Sequence, residues 1–321
     1  MAGADIGLDV RPPLRYLSAT DVTSRLDLAS VVESVRTAFL ANHRDSDEQP
    51  QRLALGAGEL LVMASRRRAE RDAVVKVLRV NTDGKDSQTT PATIDGVLLW
   101  LGGMGEPILA IDAGSVTALR TAAIVALATD LLADPAAKRL AILGAGRQAR
   151  EQGPAVALVR PLTDIVVWNR TQRRADALAE HLAATMQDVS VRVADHPFEA
   201  VKDADIVCCA TAATEPLFAA SVLDAGAHVN AIGSYRPDMH EFSSELLGKA
   251  SIIAVDSAAA CLVEAGEIID AVGAGVIGAD ALRELADLLT QPPARRGLTV
   301  FKSVGVALAD FAVAAQLAAT V

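Results

Sequence analysis

The chain has 321 residues, a length that suits two domains better than one core. Hydrophobic residues make up 51% and aromatics only 3%, so the apolar mass is Ala, Val, Leu and Ile, as expected of helices packed on parallel strands in an α/β protein. A formal net charge of −10 opposes sequence-independent nucleic-acid binding, which needs a basic surface, and three cysteines are too few for a disulfide framework.

Residues 1–13 carry acids and no apolar core of the kind a signal peptide needs. No run reaches about 18 uninterrupted apolar residues; the longest candidate, residues 121–133, contains Asp130. A cytoplasmic protein with no membrane partner is expected. The N-terminal third combines a helical pattern over 28–41 with strand-like runs at 60–64, 73–80 and 96–101, separated by polar and Gly-rich turns. Strand following strand without intervening helices predicts an antiparallel or mixed sheet in a domain of its own. Ser115 is the predicted cap of a long helix through Arg120 and Ala128 that ends at Asp134-Pro135 and bridges the domains.

From residue 139 the pattern alternates. Strands at 139–143, 164–168 and 189–193 interleave with helices at 146–159, 171–184 and 197–203, and further apolar strands follow at 205–211, 228–232 and 251–255. That order predicts a Rossmann-type, doubly wound parallel sheet. Pro154 should kink its helix if the helix continues past it. Cys208 and Cys209 are adjacent in an apolar strand and should point to opposite faces as core packing, while Cys261 is alone; no metal site is expected. An apolar helix over 304–319 is expected to return to the first domain.

The segment RLAILGAGRQAR places Gly144, Gly146 and Ala149 as G-x-G-x-x-A after a strand and at the opening of a helix. Gly144 permits the tight turn, Gly146 lets backbone approach a pyrophosphate, and Ala149 lets the helix lie close to the strand; the helix N-terminus then offers N–H groups to the phosphates. Dinucleotide binding is predicted. At the end of the second strand, where NAD-preferring domains offer a carboxylate to the ribose, this chain has Asn169-Arg170-Thr171. Arg170 is suited to pair with a 2′-phosphate, helped by the Thr171 hydroxyl and by Arg173 or Arg174, so NADPH is expected ahead of NADH.

The residues around this turn resemble the ornithine cyclodeaminase and mu-crystallin family over nearly the whole chain. The stretches that carry the resemblance are VVKVLRV (74–80), GEPILAIDAGSVTALRTAAIVALA (105–128), LAILGAGRQA (140–149), VVWNRT (166–171), ATEPL (213–217), GAHVNAIGSYRPDMHE (226–241), VEAGEI (263–268) and FKSVG (301–305). The resemblance implies a homodimer with paired N-terminal domains. It divides the chain into a substrate and dimerisation domain, 1–118 with 304–321, and a cofactor domain, 119–303. Arg52, Lys76 and Arg120 fall on the family positions that hold the substrate carboxylate, a role that suits cationic donors which must fix Cα against the nicotinamide. Thr121, Gln148, Thr211 and Ser303 join the glycine turn and Asn169, Arg170 and Thr171 as implied cofactor contacts. Asp256, Glu264 and Glu267 also match family positions, with structural and functional roles both open; Phe301 and Lys302 flank Ser303.

One departure separates branches of the family. Cyclodeaminases and the related alanine dehydrogenases carry an Asp where this chain, aligned on Pro237, has Tyr235. A phenol of ordinary pKa about 10 is no carboxylate base at neutral pH. GSYRPDMHE is instead similar to the ketimine-reductase branch, whose substrates are 1-pyrroline-2-carboxylate and 1-piperideine-2-carboxylate and whose products are cyclic amino acids such as proline. On that reading Lys76 orients the carboxylate and relays a proton, and Tyr235 bonds near the imine nitrogen. A cyclodeaminase-type lyase, an alanine-type dehydrogenase and a non-catalytic ligand binder are the rival readings.

Overall fold

Alternating apolar side chains build the first layer. The chain, described by a computed structural model over residues 14–45, 48–56, 59–68, 72–80, 94–103 and 106–321, begins with β1 (Leu14–Leu17), α1 (Ala19–Arg25) and α2 (Leu28–Asp45). Residues 1–13, in which no leader core was found, lie outside the described residues. β2 (Leu53–Leu55), β3 (Leu60–Arg66), β4 (Ala73–Val80), β5 (Ile94–Leu101) and β6 (Ile108–Asp112) complete a sheet in the order β1-β6-β5-β4-β3-β2. β1 runs parallel to β6 and the other pairs are antiparallel, which makes the sheet mixed, as predicted. The period of two turns Val74, Lys76, Leu78 and Val80 of β4 inward while Ala73, Val75 and Val77 face out.

The helix α3 (Ala113–Leu132) leaves β6 without a loop. Its cap is Asp112, whose Oδ1 accepts from the Ser115 backbone N–H at 2.7 Å, so Ser115 lies in the first turn rather than at the cap. The last strand residue already carries the short carboxylate that reaches the free N–H groups, and the helix therefore starts three residues earlier than the sequence suggested. With a mean hydropathy of 1.5, α3 is long and apolar enough to cross a membrane, but 94% of that window is buried inside the fold. It runs unbroken through residues 118 and 119 and packs against α2 on one side and the second sheet on the other.

That sheet is wholly parallel and is ordered β13-β12-β14-β11-β10-β7-β8-β9. In chain order its region contains β7 (Arg139–Leu143), α4 (Arg147–Ala157), β8 (Asp164–Trp168), α5 (Gln172–Thr185), β9 (Ser190–Val193), α6 (Pro197–Val201), β10 (Ile206–Cys209), β11 (His228–Ala231), α7 (Ser244–Lys249), β12 (Ile252–Val255), α8 (Ala258–Glu264), α9 (Gly266–Gly273), β13 (Leu282–Glu284), α10 (Leu285–Thr290) and β14 (Thr299–Lys302). The chain winds outward from β7 through β8 to β9, then restarts on the other side with β10, so a crevice opens between the C-terminal ends of β7 and β10. Cys208 and Cys209 are buried on opposite faces of β10, as expected. α4 continues through Pro154, a single lost backbone bond that does not end it. The final helix, α11 (Ala307–Ala318), crosses back and packs on α2, α3, β3 and β4.

Candidate active site

The glycine turn sits at the switch point. Gly144 has φ +110°, and a Cβ there would lie 2.4 Å from the Ala210 carbonyl oxygen and 3.3 Å from Thr211 Cγ2, so both backbone conformation and close approach require glycine. Gly146 caps α4, and a Cβ on it would meet nothing within 4 Å, while Ala149 is fully buried against the sheet. The first-turn N–H groups of α4 have no acceptor within the helix and face this open side. Gln148 adds a buried Oε1 without a donor among the described residues. The arrangement fits a dinucleotide pyrophosphate. At the end of β8, Asn169 Nδ2 donates to the Thr171 carbonyl at 3.0 Å and shapes the turn, leaving Arg170 exposed and the Thr171 hydroxyl without a capping bond.

A cluster of charged side chains lies where β4, α3 and α11 meet. Lys76, fully buried on β4, donates from Nζ to Asp310 Oδ2 on α11 at 2.5 Å. Arg120 Nε of α3 approaches Asp310 Oδ1 at 3.4 Å, but neither atom makes a hydrogen bond. The Arg120 guanidinium lies over Gly305, whose φ is +87°; a Cβ there would come within 2.8 Å of Nη2. Burial pushes the Lys76 ammonium down to about 8, with Asp310 opposing the fall and Arg120 and Arg52 adding to it.

Arg52 joins the cluster through a different set of partners. Its Nε donates to Glu264 Oε1 at 2.9 Å, and Nη2 lies 2.5 Å from Glu264 Oε2 and donates to the Val304 carbonyl at 2.7 Å. Only Nη1 remains for a ligand, whereas both terminal nitrogens of Arg120 lack a protein acceptor among the described residues. Arg120 is therefore the better-placed anion receptor of the two.

Two carboxylates shape the loops beside the cluster. Asp256, after β12, accepts from Ser303 Oγ and from the Gly305 N–H, each at 2.7 Å, and so fixes the loop that underlies Arg120. Ser303, an expected cofactor contact, has its hydroxyl engaged in this bond. Glu241 is fully buried and gathers the Thr211 N–H at 2.7 Å, the Thr211 hydroxyl at 2.8 Å and the Gly233 N–H at 2.8 Å, which ties the end of β10 to the end of β11. Glu267 accepts from Ser234 Oγ at 2.6 Å, and Lys302 Nζ donates to the Ser234 carbonyl at 2.6 Å. These bonds hold the residues on either side of Thr211 and Tyr235. Burial raises the Tyr235 phenol above its ordinary pKa, with Arg236 and then Arg52 opposing. Thr121 is buried in α3 next to Arg120.

The structure thus brings Lys76, Arg120 and Arg52 together as expected, and places Gly144, Gly146, Gln148, Ala149 and Thr211 around one crevice. Sequence reasoning missed Asp310 and Glu241. A profile of the ornithine cyclodeaminase/mu-crystallin family matches residues 15–320. The chain belongs to this family. Within the family, the Delta(1)-pyrroline-2-carboxylate reductase of Bacillus cereus is 35% identical over 249 residues, 76% of this chain and 75% of that protein. Ketimine reductase mu-crystallin of Mus musculus is 35% identical over 312 residues, 94% of this chain and 95% of that protein. Among solved structures, the Thermococcus litoralis Delta(1)-pyrroline-2-carboxylate reductase in complex with NADH and L-proline matches with a TM-score of 0.88 at 28% identity, covering 95% of this chain and 96% of that one.

Proposed function

We propose that this family member reduces a cyclic α-imino acid, 1-pyrroline-2-carboxylate or 1-piperideine-2-carboxylate, to the cyclic amino acid at the expense of NAD(P)H, with NADPH preferred. The observation that carries the reading is the chemistry of the site: three cations gathered at one place, with the carboxylates Asp310 and Glu264 both held by those cations. The salt bridges pair Arg52 with Glu264 and Lys76 with Asp310 and leave the terminal nitrogens of Arg120 for a substrate carboxylate. No free carboxylate stands at position 235 to work on an amino group, which disfavours deamination of ornithine.

The bound nicotinamide supplies a hydride to the C=N carbon. Arg120 receives the carboxylate on its two terminal nitrogens and fixes the ring; Lys76 flanks the same group and passes a proton toward the nitrogen as the C=N pair collapses onto it. Tyr235, its proton held firmly by burial, serves as a hydrogen-bond donor to the nitrogen's surroundings. Steady-state oxidation of NADPH with each imino acid, and with ornithine as control, tests the assignment; turnover with ornithine alone would defeat it.

Cofactor preference rests on Arg170, exposed at the end of β8. Arg170→Ala should lower kcat/KM for NADPH about tenfold to a hundredfold while sparing NADH, the loss of one charge-assisted contact worth roughly 1.5–3 kcal/mol. An unchanged NADPH/NADH ratio would remove Arg170 from that role.

The proposed domain division follows the two sheets, 1–118 with 304–321 against 119–303, with α3 shared between them. A homodimer is proposed through the outer face of the first sheet. There Val62, Ala64, Val75, Val77, Val97 and Leu99 lie in adjacent registers and are only half-buried, a contiguous apolar surface suited to a partner. Val75→Asp, at the middle of that face, should halve the mass measured by light scattering, and an unaltered mass would place the interface elsewhere.

A further inference from the structure

The fully buried Asp310 has so far figured only as a counter-charge, yet among the described residues it is the one group that touches both Lys76 and Arg120. It stands on α11 in the otherwise apolar run ALADFAVAAQLA, with Lys76 Nζ at 2.5 Å from Oδ2 and Arg120 Nε at 3.4 Å from Oδ1. A carboxylate at such a place has a high desolvation cost that a merely structural helix position would avoid by carrying an apolar residue. We infer that Asp310 is a positioning residue of the reductase site: it fixes the Lys76 ammonium where the imine nitrogen takes its proton, keeps that ammonium charged, and sets the Arg120 guanidinium at the angle that receives the substrate carboxylate. This rests on the imine-reductase reading and assigns α11 a part in it.

The geometry separates two functions within one carboxylate. Oδ2 is taken by Lys76, whereas Oδ1 and Arg120 Nε are both buried and short of a hydrogen bond, so the Arg120 contact is electrostatic and orients the guanidinium while leaving its terminal nitrogens for a ligand. The other charged or titratable groups around the pair are Arg52 with its partner Glu264 on α8, Asp256 beneath Gly305 and Tyr235 after β11; Arg67 stacks on Phe311, beside Asp310, at 4.9 Å. Lys76 therefore has two cationic neighbours that favour its neutral form and one carboxylate that favours the ammonium. Removing the carboxylate charge removes the larger part of that opposing influence and leaves only the hydrogen bond.

Asp310→Asn keeps the side-chain shape and an acceptor for Lys76 while deleting the charge. In the parent enzyme, kcat/KM for the imino acid should fall as pH rises through about 8, where Lys76 loses its proton. In Asp310→Asn that limb should move down by about one pH unit or more, the size of effect that a close opposite charge exerts. Binding of pyrrole-2-carboxylate, a planar ring acid with no reducible C=N bond, to the NADP⁺-loaded protein should show the same displaced limb by calorimetry. This second readout does not need turnover. If the parent fails to reduce any imine, the functional reading fails, whereas the carboxylate-binding limb still tests Asp310. Asp310→Ser, smaller and free of clash, repeats the comparison should the Asn variant not fold. Equal losses at every pH with the limb unmoved, in kinetics and in binding, would reduce Asp310 to a structural ion pair and overturn the inference.

Discussion

Arg120→Met is expected to lower kcat/KM for the imino acid by at least about tenfold to a hundredfold while leaving NADPH affinity and fold intact, the loss of a charge-assisted contact worth roughly 1.5–3 kcal/mol. Methionine keeps most of the apolar stem, so packing within α3 survives. The two terminal nitrogens have no protein acceptor among the described residues, which means that little is lost in the free enzyme and much in the substrate complex. A second signature follows from electrostatics. Arg120 is one of the cations that hold the Lys76 ammonium down, so its removal should move the alkaline limb of kcat/KM to higher pH. Steady-state kinetics across pH, thermal melting and NADPH titration on one preparation give the answer. A change under about threefold would take Arg120 out of the site, and a lowered Tm with normal turnover would make it a structural brace of α3.

Lys76→Met should be the more damaging change below about pH 8, where the parent holds the ammonium, about a hundredfold to ten-thousandfold, the usual span for loss of a positioned acid. The deficit should shrink as pH rises through about 8, because the parent's own Lys76 then gives up the proton that the variant lacks throughout. The parent limb near 8 should vanish from the variant, since the group that produces it is gone. Deleting one partner of a buried ion pair also leaves Asp310 facing Arg120 alone, so a lower Tm is expected alongside the kinetic effect. A limb that persists unchanged near 8 would assign it to another group and withdraw the proton relay from Lys76.

Much of this site was legible because its parts are local. The glycine turn needs φ at Gly144 and open space at Gly146, and both demands are written into one strand-turn-helix segment. Asn169-Arg170-Thr171 sits at a fixed place after β8 for the same reason. The cation cluster was found through family resemblance, yet a physical signal was available: alternation along β4 puts Lys76 inward between Val74 and Leu78. An inward lysine requires a buried partner. The lone acid of the last helix, Asp310, is such a partner, but 234 residues separate the two, and nothing in a linear pattern pairs them. Glu241 was hidden likewise, because the four bonds it accepts come from Thr211, Gly233 and Ser234, groups that only the sheet order brings together. β14 escaped notice because its four residues are wedged between β11 and β12 and end in a buried lysine. Ser115 was misassigned as a cap because a serine before an apolar helix is a good signal, and a better one, Asp112, stood three residues earlier.

The central claim is that hydride from the nicotinamide is delivered to the imine carbon of a ring held by Arg120 and Lys76. Deuterium tracing addresses it directly. The protein is incubated with NADPH deuterated at C4 of the nicotinamide and with 1-pyrroline-2-carboxylate or 1-piperideine-2-carboxylate, and the product is analysed by mass spectrometry and proton NMR. The account predicts proline or pipecolate carrying the deuterium at Cα, formed in step with NADPH consumed and abolished together with turnover in Arg120→Met. Proline formed from ornithine with release of ammonia and no net consumption of NADPH, alongside no label transfer from either imine, would contradict it.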